Sequence, residues 1–212
     1  MRHTPHYVLD DRIEIRRLVR ENPWATIVSH VPETGIVASH YPVLLDEAAS
    51  TGDDIVLVSH VGRPDEQLHR LGESEVLVIA QGPHGYISPS WYAPGDIVPT
   101  WNHVTAHLYG VPEILDDAEN FRVLADLTDH FERAMGDDGR SLAFDEEYSR
   151  RVARGTVGLR LRVTRIDARL KLSQNKSAEV VDRIIDELEG DGPYAHAGLA
   201  REMRRVHDPR RS

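Results

Sequence analysis

The sequence predicts an α+β fold: a small antiparallel, Greek-key-like β-barrel with peripheral helices and a helical C-terminal end. Three observations lead there. Short Val- and Ile-rich runs recur through the first half, bounded by turn formers such as Pro32, Gly35, Gly52, Gly62 and Gly82. The connections between these runs are short. Segments with apolar residues at helical spacing flank the runs and close the chain.

Taken in order, Asp10 or Asp11 can cap a first helix carrying Ile15, Leu18 and Val19 on one side and ending near Asn22-Pro23. Runs at 24–30 (WATIVSH), 35–45 (GIVASHYPVLL), 54–60 (DIVLVSH) and 75–81 (EVLVIAQ) read as strands, with a single short helix at 65–71. Residues 84–92 and 98–115 read as extended, separated by a turn at 93–96. Asp116 and Glu119 form a capping box opening a helix with Phe121, Leu124, Ala125, Thr128, Phe131 and Met135 at helical spacing. A further helix is expected at 143–154. Residues 156–166 alternate as one strand, with Val157, Leu159, Leu161 and Val163 on one face and Arg160, Arg162 and Thr164 on the other. Two closing helices follow, one with Ala178, Val181, Ile184, Ile185 and Leu188 on a face and one near 197–206. Residues 1–206 read as a single domain with appended helices, and 207–212 as a disordered tail.

Composition narrows the chemistry. There is no cysteine, which removes disulfides, thiolate nucleophiles and Cys-ligated metal sites together. No apolar run is long enough to span a bilayer, and the N-terminus lacks the apolar stretch of a secretory signal, so a cytoplasmic location without membrane association is expected. No dinucleotide fingerprint, P-loop, nucleophile elbow or HExxH motif occurs. His103 and His107 lie four apart in a strand-like segment, about 13 Å at 3.3 Å per residue, too far for one metal ion; no metal site is expected.

Residues 1–149 hold 10 Lys/Arg against 26 Asp/Glu, whereas 150–212 hold 15 against 9. Arg160, Arg162 and Arg165 with the arginines at 201, 204, 205, 210 and 211 offer a phosphate-binding surface. With no helix-turn-helix and no interleaved aromatics, a solvated strand face and a dipole-matched helix end are the simpler reading, so any DNA association is expected to be weak or indirect.

Four segments are unusually dense in special residues: Ser39-His40-Tyr41-Pro42; Ser59-His60-Val61-Gly62-Arg63 with Gln67; residues 81–92 (QGPHGYISPSWY) followed by Val98-Pro99-Thr100-Trp101-Asn102; and Lys171-Leu172-Ser173-Gln174-Asn175-Lys176. In order and spacing they resemble the PaiB-type FMN-binding negative transcriptional regulators along nearly the whole chain. The resemblance implies an FMN-binding split β-barrel and a homodimer with flavin at the subunit interface. It also implies cofactor-binding roles for Ser39, His40, Ser59, His60, Arg63, Gln67, Trp101, Asn102, Lys171, Ser173, Gln174 and Asn175.

The residue types suit that role. Ser59, His60 and Arg63 at a strand end fit a dianionic phosphate, with Lys171 as a second cation there. Ser39 and His40 can reach phosphate or ring. Lys171, Ser173, Gln174 and Asn175 form a dense donor set on an irregular segment. Trp101 reads equally as a wall for the isoalloxazine or as barrel core. The chain departs from the family pattern at Asp65 and Leu68, which stand where the family has Asn and Trp, and at His103, where it has Tyr. An aspartate beside a phosphate must face away or weaken the site. A flavin-dependent oxidoreductase of the pyridoxamine-oxidase-like superfamily is the alternative function, and a haem-binding protein on the same scaffold a third.

Overall fold

The computed structural model describes residues 4–92, 95 and 97–208. Six α-helices and eight strands alternate along it: α1 (Arg12–Glu21), β1 (Trp24–Val31), β2 (Gly35–Leu45), β3 (Val56–Gly62), α2 (Arg63–His69), β4 (Val76–Ile87), β5 (Thr100–Gly110), β6 (Glu113–Ile114), α3 (Asp117–Glu132), α4 (Glu146–Ala153), β7 (Thr156–Arg162), β8 (Arg165–Lys171), α5 (Ala178–Glu189) and α6 (Ala197–His207). The chain divides into two compact units, one of Met1–Asp10, Gln81–Ala106 and Asp167–Ser212, the other of Asp11–Ala80 and His107–Ile166. They are called the terminal and central units below. No helix among the described residues is long and apolar enough to cross a membrane.

In the central unit the strand order is β6-β7-β3-β2-β1-β4, antiparallel at the pairings β6–β7, β7–β3, β3–β2, β2–β1 and β1–β4. β1 shows why this sequence makes a two-faced sheet. Ala25, Ile27, Ser29 and Val31 are buried, while Trp24 and His30 are exposed between them. Asp11 caps α1 by accepting from the backbone N–H of Ile13 at 2.8 Å, and Ile15, Leu18 and Val19 are buried as the helical spacing predicts.

Helix α3 corrects the expected stripe. Its buried residues are Asn120, Val123 and Leu127, whereas Phe131 and Met135 are 45% and 57% exposed. The cause is the seat the helix takes on the sheet. A Cβ at Gly158 of β7 would lie 2.9 Å from the Asn120 Cα, so the absent side chain lets α3 settle there. The Asn120 amide then donates to the Ala153 and Thr156 carbonyls, and Val123 and Leu127 pack with Leu44, Val58 and Leu115. A polar residue thus pivots the buried face, which apolar spacing cannot reveal.

The expected strand at 156–166 is two. β7 stops at Arg162, Val163 and Thr164 turn by donating their backbone N–H groups to Ile55 and Tyr109, and β8 begins at Arg165. α2 starts at Arg63, two residues early, because Pro64 suits a first turn. β4 runs unbroken to Ile87 before a 3-10 turn at Pro89–Trp91. Of the expected turn at 93–96, only Gly95 is among the described residues.

In the terminal unit β4, β5 and β8 are neighbours in that order. Val8 bridges to Arg169, and the Leu9 N–H donates to the Ala168 carbonyl. α5 buries Val180, Val181, Ile184, Ile185 and Leu188, and α6 buries Leu199, Ala200 and Met203. α6 continues through His207, whose Nε2 lies 2.8 Å from the Leu172 carbonyl oxygen. Of the expected tail, residues 209–212 lie outside the described residues.

Candidate functional site

Of the twelve candidate residues, six lie in each unit. In the central unit the pleat separates neighbours. Ser39 and His40 are adjacent on β2 and so face opposite sides of the sheet. His40 is exposed, its Nδ1 3.0 Å from Thr26 Oγ1. It shares an outward face with Trp24, Val28, Ile36 and Ala38, and with Leu77 and Ile79 of β4, as the cross-strand register requires. Trp24 is 64% and Ile36 78% exposed there.

Ser39 lies inside, in a hydrogen-bond chain the sequence reading missed. Its Oγ is 3.0 Å from Nε2 of the buried His69, and His69 Nδ1 is 2.8 Å from Ser29 Oγ. Tyr41 donates to Asp65 at 2.8 Å while accepting from the Gly62 N–H at 3.1 Å. The Tyr41 and Ser39 hydroxyls hold the Asp65 carboxyl below the usual carboxylate range. Asp65 is therefore occupied within the protein. One sequence feature could have exposed this chain: Ser29 falls in the inward register of β1, between Ile27 and Val31, where a hydroxyl needs a partner.

Ser59 has no exposed surface, and its hydroxyl donates to the Pro42 carbonyl at 2.7 Å. In this structure it serves the β2–β3 pairing. His60 stands edge-on to the Tyr41 ring at 5.8 Å. Its Nδ1 is buried without a hydrogen-bond partner, and burial pushes its pKa down. Arg63 donates from Nε to the Arg154 carbonyl at 2.5 Å and pairs loosely with Asp117 at 3.7 Å. Gln67 is exposed.

In the terminal unit Trp101 is 56% exposed and Asn102 fully buried, again by alternation. The Asn102 amide donates to Ser173 Oγ at 2.9 Å, and Ser173 donates back at 3.2 Å. This pair pins Ser173 at φ 64°, a left-handed conformation that costs a non-glycine residue about 1–2 kcal/mol. Gln174 is turned onto its own backbone, accepting from the Leu172 N–H and donating to the Leu170 carbonyl. Asn175 is exposed. The half-buried Lys171 donates to Thr100 Oγ1 and, at 2.9 Å, to the Trp101 carbonyl. Burial pushes the Lys171 pKa down. Burial, followed by the charges of Lys171, His84 and Arg169, does the same to His103. Of these neighbours, Arg169 is paired with Asp167 at 3.1 Å, and His84, His103 and Arg169 were not among the expected site residues.

The arginine row is neutralised from within. Arg160 pairs with Asp46, Glu113 and Glu119, Arg162 with Asp54, and Arg165 with Glu75 while lying 3.4 Å over the Tyr109 ring. Arg204 is held by Glu189 and Arg205 by Glu202. Arg210 and Arg211 lie outside the described residues.

The antiparallel strand order with its flanking helices is that of a split-barrel protein. The flavocytochrome Anf3 from Azotobacter vinelandii is similar in structure, with a TM-score of 0.60 at 12% identity, covering 81% of this chain and 72% of that one. The FAD and heme binding protein from Mycobacterium smegmatis gives 0.57 at 19% identity, covering 88% and 80%. The family model described as "Putative FMN-binding domain" matches residues 1–165, and the chain belongs to that family. It is also 29% identical over 179 residues to the "Protease synthase and sporulation protein PAI 2" of Bacillus subtilis (strain 168), covering 84% of each. This is a PaiB-like protein whose cofactor is FMN.

Proposed function

We propose that the chain works as a flavin-loaded homodimer with a regulatory role, exerted without tight direct contact to DNA. The outward face of β1, β2 and β4 carries the dimer reading. Trp24, Val28, Ile36, Ala38, Leu77 and Ile79 share this face with Thr26, His30 and His40, and Trp24 and Ile36 are 64% and 78% exposed, the mixed apolar and polar make-up of a docking surface. A second copy laid on it would put His40 at the interface where the family places flavin.

The residues present fit FMN. A phosphate needs positive charge, and Lys171 offers it, with Arg169, itself paired with Asp167 at 3.1 Å, near by. Trp101 offers an exposed aromatic wall. Bound FMN would supply a redox-active ring, and these residues would hold and orient it. The regulatory role rests on the resemblance to the PaiB-type regulators, alongside the likeness to the Bacillus subtilis relative named a protease synthase and sporulation protein. Internal pairing of Arg160, Arg162 and Arg165 argues against a strong phosphate-binding face.

Light scattering and an absorbance spectrum of the purified protein test this together. Expected are twice the 23.9 kDa chain mass and flavin bands near one FMN per chain. A monomer mass at micromolar concentration removes the dimer. Tight retention of one duplex at physiological salt removes the indirect mode of regulation.

A further inference from the structure

A cavity of about 560 Å³ lies within the central unit, beside α3 and the end of β2, and none of its lining residues belongs to the FMN set above. Its floor is apolar. Leu44, Val58 and Val123 belong to the small core cluster under α3, and Leu44 is only partly buried there, so a strip of hydrocarbon is left for a guest to cover.

Most charges around the cavity are neutralised within the protein. Arg160 is held by Asp46, Glu113 and Glu119, and Arg20 by both carboxylate oxygens of Glu47 at 2.7 and 2.9 Å. Asp126, Asp129 and Arg133 differ. They line the same cavity, yet make no ion pair among the described residues. Two of them lie on α3 and the third just past its end, at spacings of three and four residues, so they share one face. The arginine four residues before Asp126 does not pair with it, because Arg122 turns back to Glu119 at 3.2 Å. Asp129 also stands in the last turn of α3, where the helix dipole disfavours an anion. Two unpaired carboxylates, one unpaired guanidinium and an apolar floor therefore border one space.

That set is complementary to an ammonium and a carboxylate carried side by side on a hydrocarbon chain. A simple alkylammonium would leave Arg133 without a partner. A fatty carboxylate would bring its charge against the two aspartates.

We propose that this cavity binds a zwitterionic α-amino acid with an aliphatic side chain. The ammonium donates to Asp126 and Asp129, Arg133 donates to the carboxylate, and the side chain lies on Leu44, Val58 and Val123. The site does not depend on FMN being bound.

The probe is L-leucine, titrated into the full chain with and without FMN. Binding is followed by calorimetry and by NMR shifts of the Val58 and Val123 methyl groups and of His130, which also lines the space. A Kd of about 1 mM or tighter is expected in both cases. 3-Methylbutylamine lacks the carboxylate and 4-methylpentanoate lacks the ammonium. Each should bind about tenfold more weakly, the worth of one charge-assisted contact. Glycine, with both charges and no side chain, should show no binding. Asp129→Asn and Arg133→Gln, both at exposed positions, should each weaken leucine about tenfold and leave the circular dichroism unchanged. Arg133→Gln should leave the affinity for 3-methylbutylamine as it was. Absence of leucine binding, equal affinity for the amine, the acid or glycine, or unchanged leucine affinity in either variant would overturn the proposal. Release of bound FMN by leucine would do so too, since the amino acid would then occupy the flavin's seat. Failure of FMN to bind, with leucine binding intact, would strike the FMN reading and leave this site standing.

Discussion

Ser29 Oγ and His69 Nδ1 lie 2.8 Å apart in the interior of the central unit, so a strand residue and the last residue of α2 fix each other. The other imidazole nitrogen is 3.0 Å from Ser39. Both ring nitrogens are thus satisfied while the residue is 1% exposed. Ser29→Ala removes one partner and leaves a buried nitrogen alone, at a cost of about 1–3 kcal/mol. For a chain of this size the melting midpoint should fall by about 2–4 °C per kcal/mol. Calorimetry of the two proteins decides it; an unchanged midpoint would mean that the pair contributes nothing to stability.

Stability should also fall in mild acid. Burial lowers the pKa of His69, against a smaller opposing pull from Asp65, and burial is likewise the leading cause for His60 and His103. The folded state therefore binds protons less readily than the unfolded chain, whose histidines titrate near about 6.5. The contribution is complete above that pH and is lost as pH falls through the lower folded values. Asp65, also lowered, follows the same rule but acts at more acidic pH, from its ordinary value of 3.8 downward. The midpoint should drop between pH 7 and 5, and His69→Gln should flatten that drop. Equal slopes for both proteins would assign the acid sensitivity elsewhere.

Gly158→Ala tests the seat of α3. The new Cβ would meet the Asn120 Cα at 2.9 Å, a backbone atom that cannot rotate away. Overpacking of this kind costs about 1–3 kcal/mol, and shifting the helix disturbs the Asn120 bonds to Ala153 and Thr156 as well. A larger loss than for Ser29→Ala is expected in denaturant melts. Wild-type stability would show that α3 slides at no cost.

What was legible in the sequence follows from where each structure gets its specification. α1 was readable because Asp11, Ile15, Leu18 and Val19 carry cap and face locally. The first four strands were readable because alternation and turn residues are local too. The face of α3 was not, since Gly158, about forty residues away, decides where the helix sits. The break between β7 and β8 was hidden because alternation passes through Val163 and Thr164 unbroken, while Ile55 and Tyr109 receive their N–H groups from afar. The candidate residues were found by motif, but motifs do not state faces. Ser39 with His40 and Trp101 with Asn102 were all given cofactor-binding roles, and the pleat sends the two members of each pair to opposite faces.

Lys171 separates phosphate from ring. Its ammonium is half-buried, donates to Thr100 and to the Trp101 carbonyl, and has a pKa lowered by burial. Among the described residues it pairs with no carboxylate, and His103 beside it feels Lys171, His84 and Arg169 together. A phosphate dianion would relieve that crowding. A charge-assisted hydrogen bond contributes about 1.5–3 kcal/mol, so Lys171→Ala should weaken FMN about ten- to a hundredfold. Riboflavin has the same ring without the phosphate and should bind the variant as it binds wild type. Arg63→Ala should show the same selectivity with a smaller loss, because the arginine must first release the Arg154 carbonyl and Asp117. Flavin-fluorescence titrations of both ligands against the three proteins give the comparison. Equal losses for FMN and riboflavin would mean that Lys171 acts through the ring or through the fold by way of Thr100 and Trp101, and no loss for either would remove it from the site.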